Sequence, residues 1–478
     1  MNILLISLIL VPLIAGIAVF LLKPLKVSLS LIATTYCATV SVGLMIFSPR
    51  LVYSILVLDG LSQLFLLIIG LLGFLILLYS IDYFKDQANS HYFYALFCLL
   101  ISALNSAVLS ANLLTLFIFL EAGSFITYFL IAYDRQDTSF EAAFKYFMLG
   151  SLASILLLLG IGLLSTLAGT MSLPLIAMNS TKLNPIWLGF IFSLFLAGFA
   201  LKSGLAPFPF WLPDAYSVAP APVLALSSGI LIKVLGFYCL IRMFFNILPL
   251  SINFGASLLL LGSLSILLGG FMALAQNNLK RLYAYSSISQ IGYIALGLGL
   301  LSPLGILGAL LHLFSHAIFK PLLFLCCGAI EKQTGTNNMD ELGGLFFKMP
   351  LTSLATLIAN LSLAGIPPFS GFWSKLLIIL ACVRASRLDL AFIAAIGALL
   401  SLGYVLKVQK IVFFDKLPPK LAFVKENGST MLVAILSLTV ICVLTGLLNP
   451  LVVSKIINPA AIAVINKLAY ATFAAGNM

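Results

Sequence analysis

The chain has 478 residues, of which 62% are hydrophobic and only 8% charged, against roughly 25% charged in an ordinary soluble domain. With a mean hydropathy of +1.19 it could not cover a water-facing surface with polar groups, which excludes soluble, disordered and fibrous classes. The excess of 25 Lys+Arg over 14 Asp+Glu, net +11, fits loops facing a cytoplasm and lysines held inside a membrane, and calls for no nucleic acid.

A spanning helix takes about 20 residues, so the apolar inventory suits roughly 12 to 15 spans. In chain order they are predicted near 3–22, 28–47, 61–81, 92–110, 113–133, 140–168, 187–216, 221–246, 254–276, 281–301, 304–330, 350–384, 390–414 and 430–448. The fold class is therefore an all-α polytopic membrane protein of about fourteen transmembrane helices. The first stretch has no basic region ahead of it and no small-residue cleavage site. It reads as a span, not a removed signal.

Two spans are interrupted. Span 7 carries Pro207, Pro209 and Pro213 in GLAPFPFWLPDA, and span 12 carries Pro367 and Pro368 in LAGIPPFSGFWSK. Proline removes a backbone donor. In hydrocarbon, the freed groups survive only where protein or water satisfies them. Broken helices in corresponding positions point to an ion site near the midplane. Short likenesses also suggest a repeat: EAAFKYF in span 6 against HAIFKPLLF in span 11, and LFLAG before one break against LSLAG before the other. The offset of five spans is odd, so the two five-helix units (spans 4–8 and 9–13) would be inverted. The expected divisions are 1–90, 91–246, 254–415 and 416–478, the last holding span 14 and a short C-terminal segment.

Loops after odd-numbered spans hold Lys23, Lys26, Lys85, Arg135, Lys280, Arg281, Lys332, Lys348, Lys416, Lys420 and Lys425. The other side holds Arg50, Lys182, Arg242, Arg384, Arg387, Lys455 and Lys467. The positive-inside rule then places both termini on the non-cytoplasmic side of the cytoplasmic, energy-transducing membrane. The seven cysteines lie in or near apolar stretches without a CxxC, and read as packing thiols. No zinc, haem or iron–sulfur pattern and no phosphate-cradling glycine loop occurs, so no cofactor is expected in this chain.

A charge inside a bilayer costs at least about 2.5–3.5 kcal/mol, yet several lie near span centres. These are Glu121 in LFIFLEAGSFITYFL, Lys202 in LAGFALKSGLAPF, Lys233 in SSGILIKVLGFY, His312, His316 and Lys320 in ALLHLFSHAIFKPLLF, and Lys375 in FSGFWSKLLIIL. The spacing i, i+4, i+8 stacks His312, His316 and Lys320 on one helical face. Histidine titrates near neutral pH and a desolvated lysine can release its proton, so such a line is built to relay protons. Glu121 is the one mid-span carboxylate, and its expected partner is Lys202. Blander readings stand beside these: interhelical hydrogen bonding for the histidines, and neutralisation of a carboxylate or helix terminus for Lys320. Lys145, Lys407 and Lys410 fit either the pathway or the membrane interface. Ser203, Ser228, Ser315 and Tyr293 are accessory candidates for holding water along the path.

At this point the sequence resembles a family. GFALKSGLAPFPFWLPDAYSVAPAPVLALSSGILIKVLGFY (198–238), LKRLYAYSSISQIGYIALGLG (279–299), HLFSHAIFK (312–320) and GIPPFSGFWSK (365–375) are similar, in this order, to the antiporter-like subunits of respiratory complex I. The same family includes subunits of membrane-bound energy-converting hydrogenases and of Mrp-type cation/proton antiporters. The resemblance covers roughly residues 90–415. It implies a fourteen-helix fold with two inverted five-helix units, and a proton path. In that path Glu121 pairs with Lys202, Lys233 passes protons to the second half, His312, His316 and Lys320 form the helix-11 relay, and Lys375 serves the exit. One complex I subunit type has glutamate at the position of Lys375, which disfavours that type. The LPDA…APAPV…LSSG…IK wording is nearest to hydrogenase-linked and Mrp-type members. Pro209 stands where many members have histidine, which removes a titratable group beside Lys202.

The implied function is translocation of protons, or of sodium, by a membrane-arm subunit of a redox-driven machine. The chain itself performs no covalent chemistry. Implied partners are paralogous membrane subunits, the lipid bilayer and a peripheral redox arm that would hold any iron–sulfur clusters or [NiFe] centre. Two rivals are a subunit of a gradient-driven Mrp-type Na+/H+ antiporter and a non-pumping membrane scaffold.

Overall fold

The computed structural model describes residues 2–47, 51–53, 56–249, 252–467 and 470–471. Arg50, one of the charges used for orientation, and residues 472–478 of the C-terminal segment lie outside the described residues. The helices run α1 (Asn2–Leu21), α2 (Lys26–Phe47), α3 (Gly60–Tyr83), α4 (Ser90–Leu109), α5 (Leu113–Ile131) and α6 (Asp137–Ala168). Helix 7 is split into α7a (Pro185–Ser203) and α7b (Trp211–Val218). Then follow α8 (Ala221–Ile247), α9 (Ile252–Leu274), α10 (Leu279–Gly299) and α11 (Pro303–Thr334). Helix 12 is split into α12a (Pro350–Ala364) and α12b (Ser370–Arg384). The chain continues through α13 (Leu388–Phe414), α14 (Ser429–Leu447) and the shorter α15 (Asn449–Ile465).

Twelve helices among the described residues are long and apolar enough to cross a membrane. The interrupted helix 12 and α10 complete the expected fourteen. Helix α10 has 21 residues but a polar sequence, and it buries Ser286, Ser287, Ser289, Gln290 and Tyr293. Among the described residues the one sheet is a small antiparallel hairpin, β1 (Leu51–Tyr53) with β2 (Leu56–Leu58), in which Val52 pairs with Val57.

A helix apolar on every side belongs in a core or in lipid, and both kinds occur here. Helices α8 and α11 are enclosed by protein along their whole apolar length, while α1, α6 and α13 bury well under half of theirs. The outer helices turn Ile14, Phe144, Ile155, Phe392 and Leu399 outward, as a lipid-facing belt requires. The two enclosed helices pack closely: a Cβ at Gly229 of α8 would lie 2.4 Å from Pro321 Cγ of α11.

Both breaks have the same local construction. Gly204 and Gly365, with φ of +71° and +84°, follow α7a and α12a. At the first break Leu205 N–H bonds the Ala200 carbonyl at 3.0 Å and Gly204 N–H the Leu201 carbonyl at 3.3 Å. At the second, Ile366 bonds Leu361 at 3.0 Å and Gly365 bonds Ser362 at 3.1 Å. This is the Schellman pattern of a helix end, in which a left-handed glycine lets the chain turn and satisfies orphan carbonyls. A third irregularity lies inside α8, where Ser227–Tyr238 is wound with i→i+5 hydrogen bonds, as is Gln409–Phe414 at the end of α13.

Candidate functional site

Glu121 comes from the middle of α5 and Lys202 from the last turn of α7a. Their Oε1 and Nζ atoms are 3.1 Å apart, with Lys202 sealed in protein and Glu121 partly open. Lys202 also donates to Ser124 Oγ at 3.0 Å, and Ser154 Oγ of α6 donates to Glu121 Oε2 at 2.6 Å. Two charges taken out of water are tolerable only when paired and hydrogen-bonded. Here the pair spans two helices, one of which ends at a break.

Lys233 is fully buried in the i→i+5 segment of α8, and its Nζ donates to the Ser228 carbonyl. Such winding recurs at functional sites because it displaces a side chain from its α-helical position. This segment packs against α11, the helix that carries His312, His316 and Lys320.

On α11, His312 Nδ1 lies 2.9 Å from Ser374 Oγ of α12b. The His312 ring is 5.4 Å from that of Tyr293 and 6.4 Å from that of His316. His312 Nε2, both His316 ring nitrogens and Ser315 Oγ are sealed from solvent with no hydrogen-bond partner in the protein. Buried polar atoms are normally met by protein or by ordered water, so these are the points where water would join the line. Lys320 donates to the Tyr283 carbonyl at 2.9 Å and to Ser286 Oγ at 2.5 Å. Lys375 donates to the Leu363 and Ala364 carbonyls at 2.8 and 3.3 Å, and to Ser401 Oγ of α13 at 3.4 Å. It therefore sits on the unpaired carbonyls at the negative end of α12a, 4.9 Å from the Tyr293 ring centre.

The accessory candidates divide. Tyr293 donates to the Ala394 carbonyl at 2.6 Å and touches both His312 and Lys375. Ser203 and Ser228 bond carbonyls of their own helices. Lys145 is about half exposed and pairs with Glu141 at 2.8 Å and Asp214 at 3.3 Å, apart from the buried line. Lys407 caps α9 through the Leu274 and Gln276 carbonyls at 3.0 and 2.9 Å, and Lys410 is exposed.

Two charges first counted with the loops need correction. Arg242 and Lys280 are each 2% exposed, the first paired with Asp59 and the second with Glu331. Hydropathy cannot tell a charge at a span end that faces water from one folded inward. Ser124, Ser154, Ser286, Ser374 and Ser401, which hold the charged groups, also escaped the sequence reading. Only Ser124 left a signal, three residues after Glu121 on one helix face. Among the described residues no group of three His, Cys, Asp or Glu could hold a metal ion.

Fold and site together define a polytopic membrane protein built around an intramembrane line of lysines and histidines. Residues 110–401 match the family described as NADH:quinone oxidoreductase/Mrp antiporter, TM. Residues 53–94 match NADH-Ubiquinone oxidoreductase (complex I), chain 5 N-terminus. The chain belongs to this family of antiporter-like membrane subunits. It is 34% identical to NADH-quinone oxidoreductase subunit N of Desulforudis audaxviator, over 85% of this chain and 84% of that one. It is 33% identical to a Na(+)/H(+) antiporter subunit of Alkalihalophilus pseudofirmus, over 76% of this chain and 74% of that one. Among solved structures, a chain of the membrane-bound sulfane sulfur reductase, an archaeal respiratory membrane complex, aligns with a TM-score of 0.90. That match has 25% identity and covers 98% of this chain and 99% of the other.

Proposed function

We propose that this chain translocates protons as a membrane-arm subunit of a redox-driven complex of the complex I type. The observation that carries the reading is the Lys202–Glu121 pair at a broken helix, with Lys233, His316, His312, Lys320 and Lys375 buried beyond it. When the carboxylate is drawn away, an ammonium sealed from water loses its compensation and its proton is driven onward. Lys233 passes the charge to the α11 histidines, and Lys375, seated on the open end of α12a, lies where a proton leaves. Redox centres, iron–sulfur or [NiFe], belong to partner subunits of a peripheral arm, alongside paralogous membrane subunits. Two inverted units, 91–246 and 254–415, form part of this reading, as do termini on the non-cytoplasmic side. The matched helix ends at Gly204 and Gly365 support the former.

A second reading, a subunit of a Mrp-type Na+/H+ antiporter driven by a gradient, is supported by the 33% identity to the Alkalihalophilus pseudofirmus antiporter protein. Lys202→Ala tests the core of both. Translocation in membrane vesicles should be abolished while the chain remains in the membrane. Unimpaired translocation would leave the chain a scaffold.

A further inference from the structure

Two ion pairs share one construction, a lysine sealed in protein facing a partly open glutamate. Counted by side chain, Lys202 is 4% exposed against 22% for Glu121, and Lys280 is 3% exposed against 31% for Glu331. Lys280 Nζ lies 2.7 Å from Glu331 Oε2 and donates to the Ala219 carbonyl at 3.2 Å. Asn337 Nδ2 holds Glu331 Oε1 at 2.5 Å. The other deeply buried pair, Arg242–Asp59, differs in kind, because a guanidinium keeps its proton and a lysine can give one up.

The second pair is placed at one end of the buried line. Lys280 is the second residue of α10, and Glu331 lies in the last turn of α11. One turn along α10 stands Tyr283, whose carbonyl accepts from Lys320. Lys320, Cys327 and Glu331 are spaced i, i+7, i+11, which sets them on one face of α11. The ends of that run are about 16 Å apart at 1.5 Å per residue. Lys233, His312, His316 and Lys320 are all fully buried. Protons on that line must therefore meet water elsewhere, and Glu331, whose side chain is partly exposed while its Oε2 is turned inward to Lys280, is the carboxylate on the relay's own helix face placed to do so.

We propose that Lys280–Glu331 is the port through which this line exchanges protons with the aqueous phase at the membrane face where α10 begins and α11 ends. A proton from water adds to the Glu331 carboxylate and breaks the ion pair. The Lys280 ammonium then gives a proton inward toward Lys320 and becomes a neutral amine. The proton on Glu331 moves to that amine and restores the pair, with one proton carried in and no other bond changed. This rests on the proton-translocating reading above, and the test separates the two.

Lys280→Arg, Glu331→Gln and Lys202→Ala are introduced into the full chain. The amount of assembled complex is measured on native gels, and proton movement per complex is followed by a pH-sensitive dye in inside-out vesicles. Lys280→Arg keeps the charge and the hydrogen bonds but cannot release a proton. It is expected to assemble normally and to translocate about tenfold more slowly, with Glu331→Gln doing the same. Lys280→Arg working at more than half the unaltered rate would overturn the port, since charge alone would then suffice. Should Lys280→Arg fail to assemble, Glu331→Gln decides: slow translocation by an intact complex supports the port, and full translocation removes it. Failure of both variants to assemble would make the pair structural and also overturn it. Continued translocation by Lys202→Ala would instead sink the broader reading, whatever Lys280→Arg does.

Discussion

At the scale of the residue, α8 carries two basic groups held in different ways. Lys233 has one protein partner, the Ser228 carbonyl, which suits a group that changes state. Arg242 is locked. Its Nη1 and Nη2 reach Asp59 at 2.6 and 2.5 Å, Nη1 also Asn246 at 3.1 Å, Nη2 also Ser62 at 2.8 Å, and Nε the Tyr238 hydroxyl at 3.0 Å. Its guanidinium lies 5.2 and 5.0 Å from the Tyr238 and Tyr470 rings. All five donors are engaged in a geometry only arginine supplies. Asp59→Asn should therefore leave a buried cation unpaired and destabilise the fold by about 3–5 kcal/mol, read as a lower melting temperature of the purified complex. Arg242→Lys should lose much of the same stability. An unchanged melting temperature in both would show the cluster to be dispensable. The sequence announced charges that fell at span centres, such as Glu121 and Lys202. It could not announce Arg242, because a charge near a span end has the same local hydropathy whether it faces water or an aspartate.

At the scale of the element, the breaks were legible and the winding was not. Prolines 207 and 209, and 367 and 368, fall in close pairs that mark each interruption, whereas the lone Pro12 and Pro321 lie inside continuous helices. The i→i+5 segment around Lys233 uses residues that wind equally well as an α-helix, so composition carries no mark of it. The precision of the second break rests on Gly371, where an added Cβ would lie 1.7 Å from the Ser362 carbonyl oxygen. Gly371→Ala must push α12b away from α12a, and with it Lys375 from the Leu363 and Ala364 carbonyls. Overpacking of this kind costs about 1–3 kcal/mol. The expected result is a less stable complex with slowed ion movement. Gly162→Ala in α6, where nothing lies within 4 Å, should be neutral in both assays. Equal behaviour of the two variants would show that the tight approach at Gly371 does not matter.

At the scale of the whole molecule, the chemistry of the buried line bears on which ion moves. Lys233, Lys320 and Lys375, with His312 and His316 among them, place nitrogen donors and positive charge in the enclosed core around α8 and α11. Proton movement along such a line needs only that each group accept and release a proton in turn. Sodium would need a cage of oxygen ligands, as other hard cations do. It would also have to pass the lysines against their charge, a repulsion that grows as water is excluded. Protons are therefore the expected cargo of this chain, even within a complex whose other subunits move sodium. Vesicles bearing the complex should build the same pH gradient in sodium-free medium as in sodium-containing medium. Lys375→Ala should lower that gradient equally in both. If the pH gradient requires sodium, and Lys375→Ala lowers sodium movement and proton movement together, the line carries sodium coupling and the argument from its nitrogen chemistry fails.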